Sequence, residues 1–471
     1  MDADTNNTAP GAARCPGPTT RDLILGDSTP TPPQLLVESP VYLGSTPVSF
    51  DDYTSADRAR DEHDHLWSRV WQWACRHEHI PEPGDYYVYD IGDRSALIVR
   101  GHDGEIRAFA NSCLHRGTML KPPGSCGMSQ QLRCPFHGWT WSTEGRLVEV
   151  PGHWDFPDVN PDTHSLPELR VASWGGFVFV NWDHDAAPLE DHLGVMIEHF
   201  ADWDLSDRYI EVHARKRLPA NWKASASAFL EAYHVLETHP QGVMTTGDAN
   251  AHYDVFGPTV SRFVHTTMTT SPHIAPQDRP TEQEMLAMVM SRHDGEDHVT
   301  EIPDGERARD VYARSVQQNL GERYGRDFSQ LSVSETIDSI EYFLFPNAFF
   351  FPGLQFPMVY RFRPDGHDPD HSIFDMLVLR PNPTDGPPPF PAEPFDLDVD
   401  DSYTTTPGIA KALGMIYDQD TSNLAAMTRG FKASATGAQT LGDYQEVRVR
   451  HLHDGVAQWL ADGRAAADDT P

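Results

Sequence analysis

The stretch Cys113-Leu114-His115-Arg116-Gly117, read together with Cys134-Pro135-Phe136-His137-Gly138-Trp139, decides how the rest of the chain is understood. Each run offers one thiol and one imidazole, and residues 116–133 separate the two pairs. Two cysteines and two histidines would satisfy a tetrahedral structural zinc, but zinc fingers usually pair C-x₂₋₄-C with H-x₃₋₅-H. One cysteine and one histidine from each of two loops is the arrangement wanted by an asymmetric [2Fe–2S] cluster. Two thiolates then hold one iron and two imidazoles the other. Imidazoles in place of anionic thiolates lower the negative charge around such a cluster and raise its reduction potential.

The residues around these loops read as a small all-β domain. Tyr86–Ile91 and Ala96–Arg100 are rich in strand formers, and Asp103-Gly104 is a turn signal before Ile106–Ala110. A second hairpin signal has Thr140–Ser142 and Leu147–Val150 flanking Glu144-Gly145, and Phe177–Trp182 is one more strand. Residues 48–183, with an introductory helix over Asp57–His79, are assigned to this domain. Residues 1–47, rich in Pro, Thr, Gly and Asp, are expected to form a flexible arm. Residues 184–461 read as an α+β domain, an antiparallel sheet flanked by helices. Its predicted helices are Leu189–Trp203, Lys223–Glu237 and Gly408–Phe431, with a charged helical stretch over Thr281–Tyr324. The aromatic block Ile340–Arg363 supplies strands, Thr384–Asp401 is a long surface loop, and an acidic tail, 462–471, is expected to fray.

Composition narrows the class of function. The 471 residues carry 36 Lys+Arg against 70 Asp+Glu, a formal net charge of −34. Such a chain is repelled by phosphate backbones and anionic membranes, which excludes nucleic acid as a partner. Mean hydropathy is −0.51, and no apolar run is long enough to span a bilayer. Five cysteines and no signal-peptide pattern at Met1-Asp2-Ala3-Asp4 point to the cytoplasm with reduced thiols. Cys15 and Cys75 read as bland, one in the arm and one on a helix.

The two paired runs resemble the halves of a Rieske motif. The Cys-Pro-x-His-Gly-Trp form is similar to that of the Rieske non-heme iron oxygenases, the large α subunits of aromatic ring-hydroxylating dioxygenases. Respiratory Rieske proteins carry a further cysteine in each loop; here only Cys126 lies between the pairs and none stands beside Cys134. The resemblance implies a [2Fe–2S] cluster on Cys113, His115, Cys134 and His137.

A second segment extends the resemblance. With 24 histidines, an H-x₄-H pair carries no weight alone. Here His234 and His239 follow Asn221-Trp222-Lys223 and lie within Glu231-Ala232-Tyr233-His234-Val235-Leu236-Glu237-Thr238-His239-Pro240. That context is similar to the mononuclear-iron segment of the same family, whose third ligand is an Asp on a late helix. The matching run is Tyr417-Asp418-Gln419-Asp420, so the resemblance implies Asp420, with Asp418 the alternative two residues away. Two imidazoles and one carboxylate on one face of Fe(II) leave open positions for dioxygen. Five residues span about 140° of helix beyond a full turn, so a regular helix would not aim both histidines at one ion. The helix is expected to end or bulge between them, with Pro240 marking the stop. Glu231, three residues before His234, is placed to accept its imidazole N–H; Glu237 reads as solvated charge. Phe345-Pro346-Asn347 resembles a strand motif of the family, and the matches together span residues 84–424.

The family's working arrangement supplies further expectations. Its polypeptides associate head to tail as trimers, in some members with a small β subunit. The resemblance therefore implies electron passage from His137 through Glu231, the bridging carboxylate, to His234 of the adjacent chain. Without a G-x-G-x-x-G in a strand–turn–helix setting, the chain needs an NAD(P)H-dependent reductase, with or without a ferredoxin, as partner. The bridge is usually Asp in this family; Glu occurs in the branch acting on quaternary amines. Ser227-Ala228-Phe229 replaces two polar groups near the expected pocket. Phe229, Leu236, Met244, Phe345 and Phe350 are the candidate pocket residues, against a bland reading as sheet core. A neutral, hydrophobic ring compound, aromatic or polycyclic, is the expected substrate. The competing readings are a Rieske monooxygenase or demethylase acting on a quaternary amine or methoxy compound, an electron carrier without oxygenase activity, and a zinc-stabilised binding protein.

Overall fold

The computed structural model describes residues 12–13, 17–294 and 300–468. Two compact units emerge. The smaller holds Arg60–His192, Asp204–Asp207 and the chain from Trp459; the larger holds the chain up to Ala59, Leu193–Trp203 and Arg208–Gln458.

The smaller unit is built on a seven-stranded antiparallel sheet. Its order is Gln72–Arg76, Phe177–Asn181, Glu168–Trp174, Ile106–Ala110, Arg94–Arg100, Asp85–Ile91 and Cys126–Met128. A three-stranded sheet, Leu132–Arg133, Thr140–Trp141 and Leu147–Glu149, stands beside the second ligand run. The hairpin pairing Ile91 with Arg94 closes through Gly92 at φ +54°, where an added Cβ would also run into the His63 ring. Val88, Leu97, Val99, Phe109 and Trp141 form one core that also takes in Cys113 and Cys134.

The larger unit carries an eight-stranded sheet. Its order is His252–Phe256, Val260–His265, Ser339–Leu344, Ala348–Phe350, Met358–Asp365, Asp368–Pro381, Arg208–Leu218 and Phe395–Leu397. All neighbours are antiparallel except the last pair. Asp375, fully buried in this sheet, accepts from His213 Nε2 at 3.0 Å, Arg215 Nε at 2.9 Å, Arg361 Nη2 at 2.9 Å and Arg363 Nη2 at 3.0 Å. Burial would raise this carboxyl, but the surrounding arginines hold it well below the usual carboxylate range. Within the stretch expected to be helical, the described residues form the helices Glu282–Asp294 and Ala308–Tyr324, packed through Met285, Leu286, Val311 and Tyr312.

Several expectations are corrected. Asp57–His79 is not one helix: a helix over Ala56–His65 gives way to the strand Gln72–Arg76, which is buried on both faces and so lacks the alternation that marks a strand. Leu189–Trp203 divides into Leu189–Leu193 and Met196–His199 at Gly194, whose φ is +49°. Gly408–Phe431 becomes Lys411–Ser422 and Leu424–Ala433, and Thr384–Asp401 contains the short strand Phe395–Leu397. The last helix, Val447–Asp468, extends through most of the tail expected to fray; residues 469–471 lie outside the described residues.

The described part of the arm is also ordered. Ile24 and Leu35 are buried, and Thr20 Oγ1 donates to Asn250 O at 2.6 Å. Buried Arg309 clamps Asp27 and Asp338, each at 2.9 Å, while buried Arg262 donates to the Gln34 and Val37 carbonyls. Composition misses this because two apolar anchors and two arginines far along the chain do the holding. Residues 1–11 and 14–16, Cys15 among them, lie outside the described residues.

Candidate metal centres

The two thiol-bearing loops share one backbone frame. In the first, Cys113 N donates to Thr118 O at 2.9 Å and Gly117 N to Cys113 O at 2.9 Å. In the second, Cys134 N donates to Trp139 O at 2.8 Å and Gly138 N to Cys134 O at 3.1 Å. Each loop turns back through a glycine at φ +75°, a conformation an L side chain resists. Each cysteine thus starts a tight turn of the same shape.

These frames bring all four candidate ligands together. Cys113 and Cys134 are buried hydrogen-bond partners, and burial pushes the Cys113 thiol up. The His115 and His137 rings lie 4.6 Å apart between centroids. His115 stacks on Trp139 at 5.1 Å with Phe156 against its edge. Among the described residues its Nδ1 is buried with no hydrogen-bond partner. A buried ring nitrogen without a hydrogen-bond partner, with a second imidazole beside it and two buried thiols in the same loops, fits a metal cluster. His137 is exposed, and Arg116 Nη2 donates to its Nε2 at 3.0 Å while stacking over Phe136.

The second centre lies in the larger unit, and its local fold departs from the expected long helix. The helix Trp222–Ser227, capped by Asn221 Oδ1 on Lys223 N at 3.1 Å, stops well before His234. A single helical turn, Val235–Thr238, follows with His234 as its N-cap and His239 as its C-cap. The two histidines therefore flank one unbroken turn with Pro240 directly after it; the break expected between them falls instead after Ser227, before both. The intervening loop is pinned on both sides of Glu231: Ala232 N donates to Tyr253 Oη at 3.0 Å, and Arg448 Nη1 to Leu230 O at 3.3 Å.

At the centre, candidate ligand atoms of His234, His239 and Asp420 all lie within 4.8 Å of one another. Nε2 of His239 is 2.6 Å from Asp420 Oδ1, and Nε2 of His234 is 3.4 Å from the same oxygen. Both Nδ1 atoms turn outward: His234 Nδ1 donates to Glu231 Oε1 at 2.7 Å, and His239 Nδ1 to Gln419 Oε1 at 3.0 Å. Glu231 Oε2 also accepts from His234 N at 3.0 Å. Asp418 points elsewhere, accepting from Tyr403 N at 2.9 Å and from Ser402 Oγ.

Electrostatics favour a cation here. Burial disfavours charge on His234, but the Asp420 and Glu231 carboxylates outweigh it and push the imidazole up to about 10. His239 is raised against the same burial cost by Asp420, and Asp420 is held below its ordinary value by the two imidazoles. A divalent cation between these atoms would be met by the two carboxylates, Asp420 directly and Glu231 through His234. The donor set, two outward-braced imidazoles and a carboxylate, fits Fe(II).

The candidate pocket residues separate. Phe229 packs among Tyr360, Phe362, Phe374 and Tyr417, at 5.3 to 6.3 Å between centroids. Tyr417 sits on the helix Lys411–Ser422 that also carries Asp420. Leu236 is exposed on the turn between the histidines, and half-buried Met244 packs beside Val235. Phe345 is buried against Gly455, and Phe350 lies opposite Tyr342 and Val359 in the sheet. Tyr253 and Arg448 carry no sequence motif, and Gln419, though inside the run quoted for Asp420, was given no role by the sequence.

The family model described as ring hydroxylating alpha subunit (catalytic domain) matches residues 198–462, and the model for the Rieske [2Fe-2S] domain matches residues 70–160. The chain is 33% identical over 218 residues to the chlorobenzene dioxygenase subunit alpha of Cupriavidus sp. (strain PS12), covering 45% of this chain and 48% of the relative. It is 30% identical over 195 residues to the carnitine monooxygenase oxygenase subunit of Acinetobacter pittii (strain PHEA-2), covering 40% and 51%. The chain thus spans about half the length of these curated relatives. The crystal structure of the quaternary ammonium Rieske monooxygenase CntA with L-carnitine superposes with a TM-score of 0.60 at 17% identity, over 88% of this chain and 95% of that one.

Proposed function

The chain belongs to the family of ring-hydroxylating alpha subunits, with a Rieske [2Fe–2S] domain before its catalytic domain, and from that premise we propose that it is the terminal oxygenase of a multicomponent system, hydroxylating a hydrophobic, aromatic or polycyclic substrate with O₂. The observation that carries this reading is the convergence of His234, His239 and Asp420 with both Nδ1 atoms braced from outside. In the proposed assignment Cys113, His115, Cys134 and His137 hold the cluster, and His234, His239 and Asp420 hold the iron. When bound, the cluster supplies single electrons and the iron an open face for dioxygen.

The chain's own residues prepare that chemistry. Glu231 fixes the His234 ring so that Nε2 faces Asp420, and its carboxylate oxygens keep lone pairs for a second imidazole N–H. That is the property a bridging carboxylate needs in a head-to-tail homotrimer, the assembly this reading implies. The aromatic group of Phe229, Tyr360 and Tyr417 makes the neighbourhood of the Asp420 helix apolar. The family relationship to chlorobenzene dioxygenase supports a neutral ring as substrate. Electrons come from an NAD(P)H-dependent reductase, directly or through a ferredoxin. No helix among the described residues is long and apolar enough to cross a membrane, and we place the protein in the cytoplasm.

A second reading rests on Glu231 and on similarity to carnitine monooxygenase: monooxygenation or demethylation of a quaternary amine. The two are separated by adding nitric oxide to the Fe(II)-loaded protein and recording EPR spectra against neutral polycyclics, aromatic acids and quaternary amines. A high-spin iron–nitrosyl signal shifted only by neutral rings supports the first reading, and one shifted by quaternary amines supports the second. Absence of the signal in iron-loaded protein removes the oxygenase reading altogether.

A further inference from the structure

The two imidazoles of the iron centre are braced by different chemistry. His234 is held by a carboxylate from its own turn, whereas His239 is held by an amide from another element, the helix Lys411–Ser422. Gln419 Oε1 accepts both from His239 Nδ1 at 3.0 Å and from Gln241 Nε2 at 2.6 Å. Gln419 Nε2 returns a bond to Gln241 Oε1 at 3.3 Å. The pair is therefore a reciprocal amide–amide contact that closes across the chain just beyond Pro240.

We propose that Gln419, locked by Gln241, is the positioning residue for His239 at the metal. The proposal rests on the reading of His234, His239 and Asp420 as iron ligands. Residues 419 and 420 are consecutive on one helix and so project about 100° apart. Gln419 takes the outer nitrogen of the His239 ring while Asp420 faces the inner one, so a single helix sets both the third ligand and the orientation of the second. A glutamine has three rotatable side-chain bonds and is a poor brace unless it is itself held; Gln241 supplies that hold. A neutral amide also adds no further anion to a centre already carrying Asp420 and Glu231, whose two charges balance one divalent ion.

The test is an anaerobic Fe(II) titration of the full, cluster-loaded chain, with free iron read by a ferrous chelator and the nitrosyl EPR line shape recorded beside it. Gln419→Leu should weaken Fe(II) binding on the order of 10–100-fold and broaden the nitrosyl signal, with the cluster's visible absorbance retained. Gln419→Glu, which keeps an acceptor, should restore most of the affinity. Gln241→Leu, at an exposed position, should shift affinity in the same direction by a smaller factor. Unchanged affinity and line shape in Gln419→Leu overturn the proposal, and unchanged values in Gln241→Leu remove the lock. Should Gln419→Leu lose the cluster or the fold, the Gln241→Leu result decides alone. His239→Ala is the control: if it still binds Fe(II) at full affinity, the ligand reading itself fails, whereas its loss beside an unaffected Gln419→Leu sinks only the positioning role.

Discussion

Glu231 reaches His234 twice, through Nδ1 and through the backbone N–H, so removing it frees the imidazole without touching a ligand atom. Glu231→Ala should retain cluster absorbance and bound iron yet lose coupled turnover, measured as product formed per electron in a single-turnover assay. Normal product yield would refute the bridge. His239 is different in kind, because its Nε2 faces Asp420 directly. His239→Ala should keep the visible spectrum of the cluster and abolish hydroxylation; retained activity would mean the ligand set is wrong. At this scale the sequence was informative wherever chemistry demands a residue type at a spacing, as in Cys113, His115, Cys134 and His137. It was silent on Gln419 and Gln241, whose contact joins positions 178 residues apart and follows no local pattern.

Elements show why a motif needs its frame. Cys134 anchors a loop and part of the core of the smaller unit, and is a proposed cluster ligand as well. Cys134→Ser should abolish the cluster's visible absorbance and lower the thermal midpoint of that unit in calorimetry, because ligand binding and folding are coupled. In the eight-stranded sheet, Asp375 gathers three arginines and a histidine in the interior. Asp375→Asn removes the carboxylate that buried Arg361 and largely buried Arg363 face and should cost about 3–5 kcal/mol, read from chemical denaturation. Strands around Asp103-Gly104 and Glu144-Gly145 were legible from turn chemistry alone. Helix boundaries were not: residues 223–237 have helical periodicity, yet the chain breaks after Ser227 because the larger unit holds Leu230 and Ala232 from outside.

For the whole molecule, the order found along residues 17–47 changes what the N-terminal segment is for. Deleting residues 1–40 would expose the sites of Ile24 and Leu35, each contributing about 1.5–3 kcal/mol on burial. It would also strip Arg309 of Asp27 and Arg262 of two carbonyls. The truncated chain should unfold at a markedly lower denaturant midpoint than the full chain; an unchanged midpoint would show the segment to be dispensable. The Pro-, Thr-, Gly- and Asp-rich composition of residues 1–47 pointed the other way, toward a flexible arm, since composition counts residues and takes no account of partners 200 and more positions away.

The shared frame of the two thiol loops has a bearing on protein engineering. In both, the glycine stands four residues after the cysteine, while the histidine stands two after it in one loop and three after it in the other. The turn is thus a cartridge whose cargo position is adjustable: exchanging Phe136 and His137 would move the imidazole by one place while leaving the closing hydrogen bonds intact. The closing hydrogen bonds run backbone to backbone, so the turn by itself does not dictate which of the residues it encloses is the histidine.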